Sequence, residues 1–555
     1  VVQAGTDTAS IPAEADRVVH IVAPDGAAPD CDPTADRLLD VAQLLRQKAT
    51  QNPAIPFSIV TQGALQLTNA APGDPSQAAV WGLGRVASLE MPEQGCYLID
   101  TDPDSSAVTA AKRAIEAISR AGEEEQIADR AGVFRVPRLS RSVAPDCTYE
   151  FDFDGEYSVL ITGGLGGLGL HVAEWAADNG AQDISLLTRR TLPPREQWNM
   201  ADSGLADLHS RLTEIENTGC TLRIVTADVA DAERMAQVFA ECRGRERPVR
   251  SVFHCAVDMS ACPIVELDSQ TIDSMLSAKV AGTRVLHELC GEVDVRDFVM
   301  FSSSTALLGV AGLGHYAAAN QYMDSLVEMR RSSGLPGLSI NWGTWSEMRI
   351  ADDADRASFE GAGLNTIPVA TGLDCLSRAM AAGIGRCLIA NIDWDTLKAV
   401  YEARRERPLL AMLGSSTVQE PVRDSTNTEP SNDGVSRLAT LSADDRARAV
   451  TDIVVKIVTS VLGNTGVIAA DKGFFDMGLD SLMAVELKTK LEKRFGMSLP
   501  TTLTFNYPTI ESLSEFMLGE LFDGVDDDAV APHDTADDDD IEARLSRKLK
   551  NLGMT

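Results

Sequence analysis

The sequence is poor in basic residues and contains few cysteines and histidines. Its 49 lysines and arginines face 82 acidic residues, which gives a formal net charge of −33. Nucleic acids and anionic membranes are bound by basic surfaces, so this balance argues against both as partners. The ten cysteines include no Cys-x-x-Cys pair, and the seven histidines form no cluster with ligand spacing. Neither a disulfide framework nor a metal site is therefore predicted.

Long hydrophobic runs are also missing. No apolar run reaches the roughly 18 residues that a membrane span requires, and no secretory signal opens the sequence. Together with the scattered cysteines, these absences favour the reducing cytoplasm as the location. The first residue is Val1 rather than methionine, from which we expect a segment cut from a longer polypeptide.

Strand-like and helix-like segments alternate over most of the chain, whose 555 residues are enough for about three or four domains. Residues 1–150 alternate runs such as "FSIVTQG" with helical stretches such as "RLLDVAQLLRQKA". Residues 151–411 repeat the alternation with runs such as "YSVLITGG" and "DISLLTRR". This order predicts an α/β fold with two Rossmann-like halves, of which the second has a parallel, doubly wound sheet.

The composition changes after this α/β region. Residues 412–436 are rich in Ser, Thr, Asn, Pro and Asp and predict a flexible linker. Residues 437–522 contain two runs with helical periodicity, "RARAVTDIVVKIVTSVLG" and "SLMAVELKTKLEKRFG", and predict a small helical bundle. An acidic disordered tract over 523–540 and a short amphipathic helix over 541–555 complete the predicted organisation.

A glycine-rich turn begins the second half in "VLITGGLGGLGLHVAEWAADNG". Its spacing is G-x-G-x-x-G, which lets the backbone approach a pyrophosphate while the following helix supplies amide donors and a positive dipole end. A tight turn without a ligand is the alternative, but the strand–turn–helix context favours a dinucleotide site. The candidate contacts are Thr162, Gly163, Gly164, Gly166, Gly167, Leu168 and Gly169.

The next strand of this half ends at Arg189 and Arg190. A dinucleotide without a 2′-phosphate needs an acidic residue at this place, about 20 residues beyond the glycine turn. Guanidinium groups bind phosphate, so the pair favours NADPH over NADH. Two solvated arginines at a strand end are the alternative. Asp228 and Val229 follow the third strand and are candidates to frame the adenine.

The stretch "DFVMFSSSTALLGVAGLGHYAAANQYMDSL" places polar groups at the carboxyl edge of the predicted sheet, where α/β enzymes bind their ligands. With "TGGLGGLG", "FSSS", "YAAAN" and "NWGTW", the chain resembles the ketoreductase domains of modular polyketide synthases, members of the short-chain dehydrogenase/reductase superfamily. The resemblance covers residues 1–405, because "VWGLGRVASLEMPE" at 80–93 is similar to the truncated, cofactor-free structural half of these enzymes.

The resemblance implies four catalytic residues. Ordinary short-chain reductases carry Tyr-x-x-x-Lys, whereas this chain has Tyr316 and Asn320, and its family places the lysine on an earlier helix, here Lys279. Tyr316 would protonate the ketone oxygen and Ser303 would hydrogen-bond it. Lys279 would lower the pKa of Tyr316 and, with Asn320, anchor a water relay. Each of these residues alone could have a purely structural role, but the spacing of all four in the sequence favours a catalytic one.

The segment after the sixth strand is predicted to meet the nicotinamide. Backbone amides near Gly343 and Thr344 would hold its carboxamide, and residues 346–369 would form a mobile lid over the substrate. Two positions depart from the family pattern. Glu347 replaces the usual glycine, and Val257 stands where a glycine is common and would crowd the nicotinamide side.

The stereochemical markers of the family are also altered. Ala261 stands where the D-hydroxyl class has an aspartate, and Leu308 stands where the opposite class usually has a tryptophan. The missing aspartate favours the L-hydroxyl product. Leu313 and Ala318 replace the markers of α-carbon epimerisation, so no epimerisation is expected.

The run "GFFDMGLDSLMAVELKTKLEKRFGMSLP" is similar to acyl carrier proteins. The resemblance implies a four-helix carrier domain with a 4′-phosphopantetheine arm on Ser481, added by a phosphopantetheinyl transferase; a helix N-cap is the alternative role for this serine. Further on, Ile541, Leu545, Leu549 and Leu552 form an apolar stripe. The stripe would dock a downstream synthase subunit, with a solubilising tail as the alternative.

These features predict an NADPH-dependent reductase within a polyketide synthase. Its substrate would be a β-ketoacyl thioester held on its own carrier domain, and the upstream synthase domains would be missing from this segment. Two alternatives stay open: a redox-silent reductase scaffold beside a working carrier domain, and a free-standing carbonyl reductase with a helical appendage.

Overall fold

The computed structural model describes the chain in two compact units, of which the first holds both α/β halves and the second holds helices near the C terminus. The described residues are 17–22, 32–51, 55–67, 72–92, 95–122, 124–142, 153, 155–198, 205–245, 247–291, 293–347, 359–402, 405–414, 442–462, 470, 472–474, 477, 479, 481–497, 499 and 503–522.

The first half is a five-stranded sheet with helices in its connections. Its elements are β1 (Val18–Ile21), α1 (Thr34–Gln51), β2 (Phe57–Gln62), α2 (Pro75–Glu90), β3 (Cys96–Thr101), α3 (Ala107–Arg120), β4 (Gln126–Arg130) and β5 (Val133–Arg135). The strands lie in sequence order, with β1 to β4 parallel and β5 antiparallel to β4. Because helices connect the parallel strands, β2 and β3 are almost wholly buried.

The second half contains the larger sheet. Its elements are β6 (Ser158–Thr162), α4 (Gly167–Asp178), β7 (Asp183–Thr188), α5 (Ala206–Asn217), β8 (Thr221–Thr226), α6 (Ala232–Gly244), β9 (Val249–His254), α7 (Ser269–Leu276), α8 (Gly282–Gly291), β10 (Asp297–Ser303), α9 (Thr305–Leu308), α10 (Gly314–Ser332), β11 (Leu338–Trp342), β12 (Leu364–Asn365), α11 (Val369–Ala381), β13 (Arg386–Ile389), β14 (Asn391–Ile392) and α12 (Trp394–Tyr401).

The seven-stranded sheet of this half is parallel and doubly wound, as predicted. Its order is β13-β11-β10-β9-β6-β7-β8, and every neighbouring pair is parallel. The strand order reverses between β6 and β9, and such a reversal opens a crevice at the carboxyl ends of the strands. A ligand site is therefore expected among the residues that follow β6, β9 and β10.

Helices α2 and α10 join the two halves through close backbone packing. A Cβ atom added to Gly82 on α2 would lie 2.4 Å from the carbonyl oxygen of Ala317 on α10. Trp81 is buried beside this contact, and its indole N–H donates to Thr61 Oγ1 at 3.0 Å. One hydrophobic core includes residues of both halves, so the first half forms part of the support of α10.

Four helices are described beyond residue 436: α13 (Ala443–Leu462), α14 (Ser481–Phe495), α15 (Leu503–Asn506) and α16 (Ile510–Phe522). They belong to the second unit, except that residues 481–486 at the start of α14 are grouped with the first. Val450, Val454 and Val458 recur at four-residue intervals on α13 and are buried. This spacing places them on one helix face. Leu487 and Leu491 are buried in the same way on α14, which agrees with the predicted small bundle.

Several predictions fall on residues outside the description. The acidic tract at 523–540 and the docking helix at 541–555 lie wholly outside it, and of the linker at 412–436 only 412–414 are described. Leu413 is buried in a cluster with Leu397 and Leu410, so the packing of the second half continues past residue 412. Among the described helices, none combines the length and the apolarity needed to cross a bilayer.

Candidate active site and cofactor cleft

Tyr316 and Asn320 lie one turn apart near the start of α10, and both are buried. The side chain of Asn320 donates from Nδ2 to the backbone oxygen of Tyr316 at 2.7 Å. Its Oδ1 atom is buried and has no hydrogen-bond partner among the described residues. The helix therefore presents a buried hydroxyl and a buried acceptor side by side.

Ser303 is the last residue of β10 and lies next to Tyr316. Its Oγ accepts a hydrogen bond from the backbone N–H of Thr305 at 3.2 Å. Burial raises the pKa of Tyr316, and the neighbouring side chains of Ser303 and Asn320 act in the opposite direction. The net direction is opposite to the lowering that we expected from Lys279, because the loss of hydration disfavours the phenolate.

Lys279 reaches the same site from a π-helical turn, Ser277–Ala281, between α7 and α8. Its Nζ donates to the backbone oxygen of Phe301 at 2.9 Å and lies 5.5 Å from the centre of the Tyr316 ring. Burial lowers the pKa of Lys279 to about 8, although the charge of Asp324 acts in the opposite direction. The four predicted catalytic residues thus meet at the carboxyl end of β10.

A buried polar network lies behind this end of β10. Asn341 on β11 donates from Nδ2 to Ser302 Oγ at 3.0 Å, to the Ser303 backbone oxygen at 3.2 Å and to Asp324 Oδ2 at 2.7 Å. Ser339 donates to the other oxygen of Asp324 at 2.5 Å. Since Asp324 lies on α10, the network ties the catalytic helix to the two strands beneath it.

The glycine turn after β6 has the close approaches that its sequence predicted. Gly163 has a φ of +64°, and a Cβ atom there would lie 2.9 Å from the backbone of Ala256. A Cβ atom on Gly169 would lie 2.3 Å from the oxygen of Gly163. Only glycine fits these positions, so the start of α4 comes close to β6 and leaves its N-terminal amides facing the crevice.

A cleft of about 1050 Å³ opens at this turn. Predicted residues that line it are Gly163, Gly166, Gly167, Leu168, Gly169, Arg189, Arg190, Asp228 and Val229. It also reaches Ala256, Val257 and Ala278, the neighbour of Lys279 in the sequence. The volume, the glycine backbone and the arginine pair fit a dinucleotide with an additional phosphate.

Four predicted cofactor contacts do not line this cleft. Thr162 is buried, and its Oγ1 lies 2.6 Å from His254 Nδ1. A Cβ atom on Gly164 would lie 2.8 Å from Leu186, so this glycine serves packing. The N–H of Gly343 donates to the backbone oxygen of Ile389 at 2.9 Å as part of the sheet, and Thr344 is not a lining residue. The Gly343 amide is therefore not available to a carboxamide.

His171, Glu174 and Arg211, to which the sequence did not point, line the cleft together with Glu347. His171 Nε2 lies 2.8 Å from Glu347 Oε2, and Arg211 Nε donates to Glu174 Oε1 at 2.6 Å. The hydrogen bond with Glu174 raises the pKa of His171. His171 and Glu174 are three residues apart on α4. Arg211 and Glu347 come from distant parts of the sequence, and no local motif connects them to this pair. On the arginine side, Arg189 Nη2 lies 3.4 Å from Asp258 Oδ2.

The predicted attachment serine belongs to the second region of interest. Ser481 is the first residue of α14. The N-terminus of a helix carries free amide donors and a positive dipole end, which favour a phosphate group. The backbone position of Ser481 therefore suits a phosphodiester-linked arm.

Three family models match the chain. A model described as KR domain matches residues 157–347, and a model described as phosphopantetheine attachment site matches residues 452–517. A third, described as polyketide synthase extender module SpnB, Rossmann fold domain, matches residues 2–139. The matches assign a separate description to each of the two halves and to the helical unit.

Individual proteins agree with these models. Polyketide synthase GfsA from Streptomyces halstedii is 34% identical over 472 residues, covering 84% of this chain and 6% of that synthase. Erythronolide synthase EryA3 from Saccharopolyspora erythraea is 33% identical over 478 residues, covering 84% of this chain and 14% of that synthase. A solved structure of A-type ketoreductases from a modular polyketide synthase has 30% identity and a TM-score of 0.60, covering 68% of this chain and 77% of that structure.

The fold and the matched models define a Rossmann-fold oxidoreductase joined to a phosphopantetheine carrier domain. The chain belongs to the ketoreductases of modular polyketide synthases. It spans only 6% and 14% of the lengths of the two synthases named above.

Proposed function

We propose that the chain reduces a β-ketoacyl thioester, held on its own carrier domain, to the β-hydroxyacyl thioester with NADPH. The observation that carries this proposal is the meeting of Tyr316, Ser303, Lys279 and Asn320 at the carboxyl end of β10. The dinucleotide-sized cleft extends to Ala278, beside Lys279, so the reacting groups of cofactor and substrate have a common place to meet.

Bound in the cleft, NADPH would supply a hydride to the ketone carbon, and the protein must supply a proton to the ketone oxygen. Tyr316 is the proton donor in our proposal. Its raised pKa keeps the hydroxyl protonated at neutral pH, as a general acid requires. Ser303 donates a second hydrogen bond to the oxygen as negative charge develops, and one such donor is typically worth about 3–4 kcal/mol in the transition state.

Lys279 and Asn320 restore the proton that Tyr316 gives up. With a pKa of about 8, Lys279 is mainly protonated at neutral pH and places positive charge beside the tyrosine ring. The buried Oδ1 of Asn320 is an acceptor that suits a relay water. Together they connect Tyr316 to a source of protons while the site stays closed to bulk solvent.

The cofactor would be held along the cleft from the glycine turn to the arginine pair. The amides at the start of α4 would bind the pyrophosphate, with Gly166 and Gly167 in contact. Arg189 and Arg190 would bind the 2′-phosphate, which favours NADPH over NADH. Asp228 and Val229 line the adenosine end of the cleft in this arrangement.

The carrier domain would receive its 4′-phosphopantetheine arm at Ser481 from a phosphopantetheinyl transferase. The β-ketoacyl chain would come from upstream synthase domains and leave to a downstream subunit, which we propose docks on residues 541–555. This assembly would work in the cytoplasm. The absence of an aspartate at Ala261 supports an L-hydroxyl product, and Leu313 and Ala318 support reduction without epimerisation.

Replacement of the proposed acid tests the function. The chain is given NADPH and a short β-ketoacyl thioester, cofactor oxidation is followed by absorbance, and the alcohol is resolved by chiral chromatography. We expect Tyr316→Phe to lower the rate by about 10²–10⁴-fold while the Kd for NADPH stays unchanged. The matched control is Tyr322→Phe on the same helix, whose hydroxyl donates to Asp32 at 3.0 Å instead; it should keep the wild-type rate.

Wild-type protein that binds NADPH but does not oxidise it, even with the substrate loaded on the carrier, would refute the reductase. The remaining function would then be that of a redox-silent scaffold beside the carrier domain. Equal rates for wild type and Tyr316→Phe would remove Tyr316 from the mechanism.

A further inference from the structure

Glu90 is the last residue of α2 in the first half, and its carboxylate reaches two loops of the second half. Oε1 accepts a hydrogen bond from the N–H of Gly312 at 2.8 Å. Oε2 accepts one from the N–H of Ile264 at 2.8 Å. Each oxygen thus holds a different loop, and bonds from amides to a charged carboxylate are stronger than those between neutral groups.

The two loops are also bonded to each other at this point. The N–H of Cys262 donates to the backbone oxygen of Gly312 at 2.8 Å. Gly312 has a φ of +77°, and a Cβ atom there would lie 3.7 Å from the Cβ of Ala261. Glu90 therefore closes a junction in which the backbones of both loops already meet.

These loops connect the cofactor cleft to the helix that carries Tyr316. The loop after β9 includes Ala256, Val257 and Met259, which line the cleft, and continues to Ile264. The loop after α9 passes through Gly312 and leads directly into α10 and Tyr316. The separation between the cleft wall and Tyr316 consequently depends on the junction that Glu90 closes.

We propose that Glu90 is a positioning residue for the reduction, acting through the amides of Ile264 and Gly312. It touches neither cofactor nor substrate, but it fixes the loops that set where the ketone lies between the nicotinamide and Tyr316. The proposal rests on the reductase function proposed above. It assigns to the first half, which lacks the glycine turn, a defined contribution to the chemistry.

Glu90→Gln is the main test because it preserves size and leaves one oxygen. The amide NH₂ must then face one of the two backbone N–H groups, so one loop loses its acceptor. We expect kcat to fall about tenfold and the enantiomeric ratio of the alcohol to erode. The Kd for NADPH should change less than kcat, because the glycine turn and the arginine pair are untouched. Glu90→Asp keeps both oxygens and should recover part of kcat and of the enantiomeric ratio.

Amide hydrogen exchange followed by mass spectrometry gives a second readout that does not need turnover. In Glu90→Gln, exchange should rise in peptides that contain Ile264 and Gly312. Glu116→Gln is the matched control, since Glu116 belongs to the first half but pairs with Arg113 and Arg120 on α3; it should behave as wild type in every measurement.

Unchanged exchange at both loops in Glu90→Gln would overturn the proposal, as would a wild-type kcat and enantiomeric ratio. A parallel loss of kcat, NADPH binding and thermal stability, without rescue by Glu90→Asp, would show a merely structural role and would also overturn it. A wild-type protein without reductase activity would refute the proposed function and the positioning role together, while the exchange data would still decide whether Glu90 holds the loops.

Discussion

Lys279 and Tyr316 are both buried, and burial shifts their pKa values in opposite directions because one is charged when protonated and the other when deprotonated. The pKa of Lys279 falls to about 8, whereas that of Tyr316 rises. At neutral pH, Tyr316 therefore keeps its proton and Lys279 is mainly charged. The site combines a neutral acid with a neighbouring positive charge, which is the arrangement that protonation of a developing alkoxide needs.

We expect the reduction rate to fall as the pH rises through about 8. Deprotonation of Lys279 removes the positive charge beside Tyr316, and the raised pKa of Tyr316 excludes its own ionisation as the cause in this range. The measurement is kcat at saturating NADPH and thioester on both sides of this pH. In Lys279→Met, kcat should be low at every pH and show no step.

Lys112→Met provides the matched control for this pH profile, because Lys112 is exposed on α3 in the first half. It should retain the wild-type profile. A wild-type profile that stays flat through pH 8, or a step that persists in Lys279→Met, would contradict the assignment to Lys279.

At the residue scale, the sequence was informative for site residues whose positions depend on local chain geometry. It was not informative for residues whose contacts come from distant parts of the chain. A strand end and a helix start fix Ser303 and Tyr316, so their spacing was informative. The Gly343 amide looked free in the sequence, but it belongs to the sheet through Ile389. The contact of His171 with Glu347 joins residues 176 positions apart, and no spacing rule anticipates it.

At the element scale, strands with a clear apolar run were predictable, and β4 and β5 were not. The strands of the larger sheet from β6 to β11 have apolar runs bounded by turn residues. In contrast, β4 and β5 read "QIADR" and "VFR" and carry no alternation. They pair antiparallel through a turn in which Ala131 has a φ of +51°. The π-helical turn at Lys279 was equally invisible, since nothing in "SAKVA" distinguishes it from an α-helix.

The packing of α2 on α10 leads to a prediction for Gly82. In Gly82→Ala the new methyl group would lie 2.4 Å from the Ala317 oxygen and 2.6 Å from its carbonyl carbon. Both are backbone atoms, so the helices must separate. We expect a loss of about 1–3 kcal/mol in the free energy of unfolding, measured by urea denaturation. Because Tyr316 is the neighbour of Ala317, kcat should fall as well.

A glycine without neighbours supplies the control for Gly82. Nothing lies within 4 Å of a Cβ atom added to Gly244, at the end of α6. Gly244→Ala should therefore be neutral or slightly stabilising. If Gly82→Ala is as stable and as active as Gly244→Ala, the close approach of α2 and α10 does not constrain the catalytic helix.

At the scale of the whole molecule, the two α/β halves differ in how they use the carboxyl edges of their sheets. In the first half, Asp100 accepts hydrogen bonds from Thr61 Oγ1 at 2.7 Å and from the Ala64 N–H at 2.8 Å. It also pairs with the buried Arg130. These side chains occupy the edge themselves, whereas in the second half the same edge opens into the dinucleotide-sized cleft. The carboxyl edge of the first sheet is thus filled by side chains of the first half itself, whereas the same edge of the second sheet is open to a ligand.

The carrier domain would deliver the substrate to the reductase site. The variant Ser481→Ala separates this delivery from the reduction itself. Without the serine no arm can be attached, so no substrate is tethered to the chain. We expect Ser481→Ala to reduce a free β-ketoacyl thioester at the wild-type rate but to gain no mass from a phosphopantetheinyl transferase and acyl-coenzyme A. At micromolar protein, only the loaded wild type should reduce its acyl group rapidly, because a flexible tether gives an effective concentration of about millimolar.

Ser460→Ala is the matched control, since Ser460 is exposed on α13 and bonds to the backbone of Ile457. It should be modified and reduced as the wild type is, with intact-protein mass spectrometry following both steps. Modification of Ser481→Ala would place the arm on another residue. Loss of activity on the free thioester in Ser481→Ala would show that the carrier domain contributes to the reductase site itself. Delivery of the substrate would then no longer be enough to explain why the two functions share one chain.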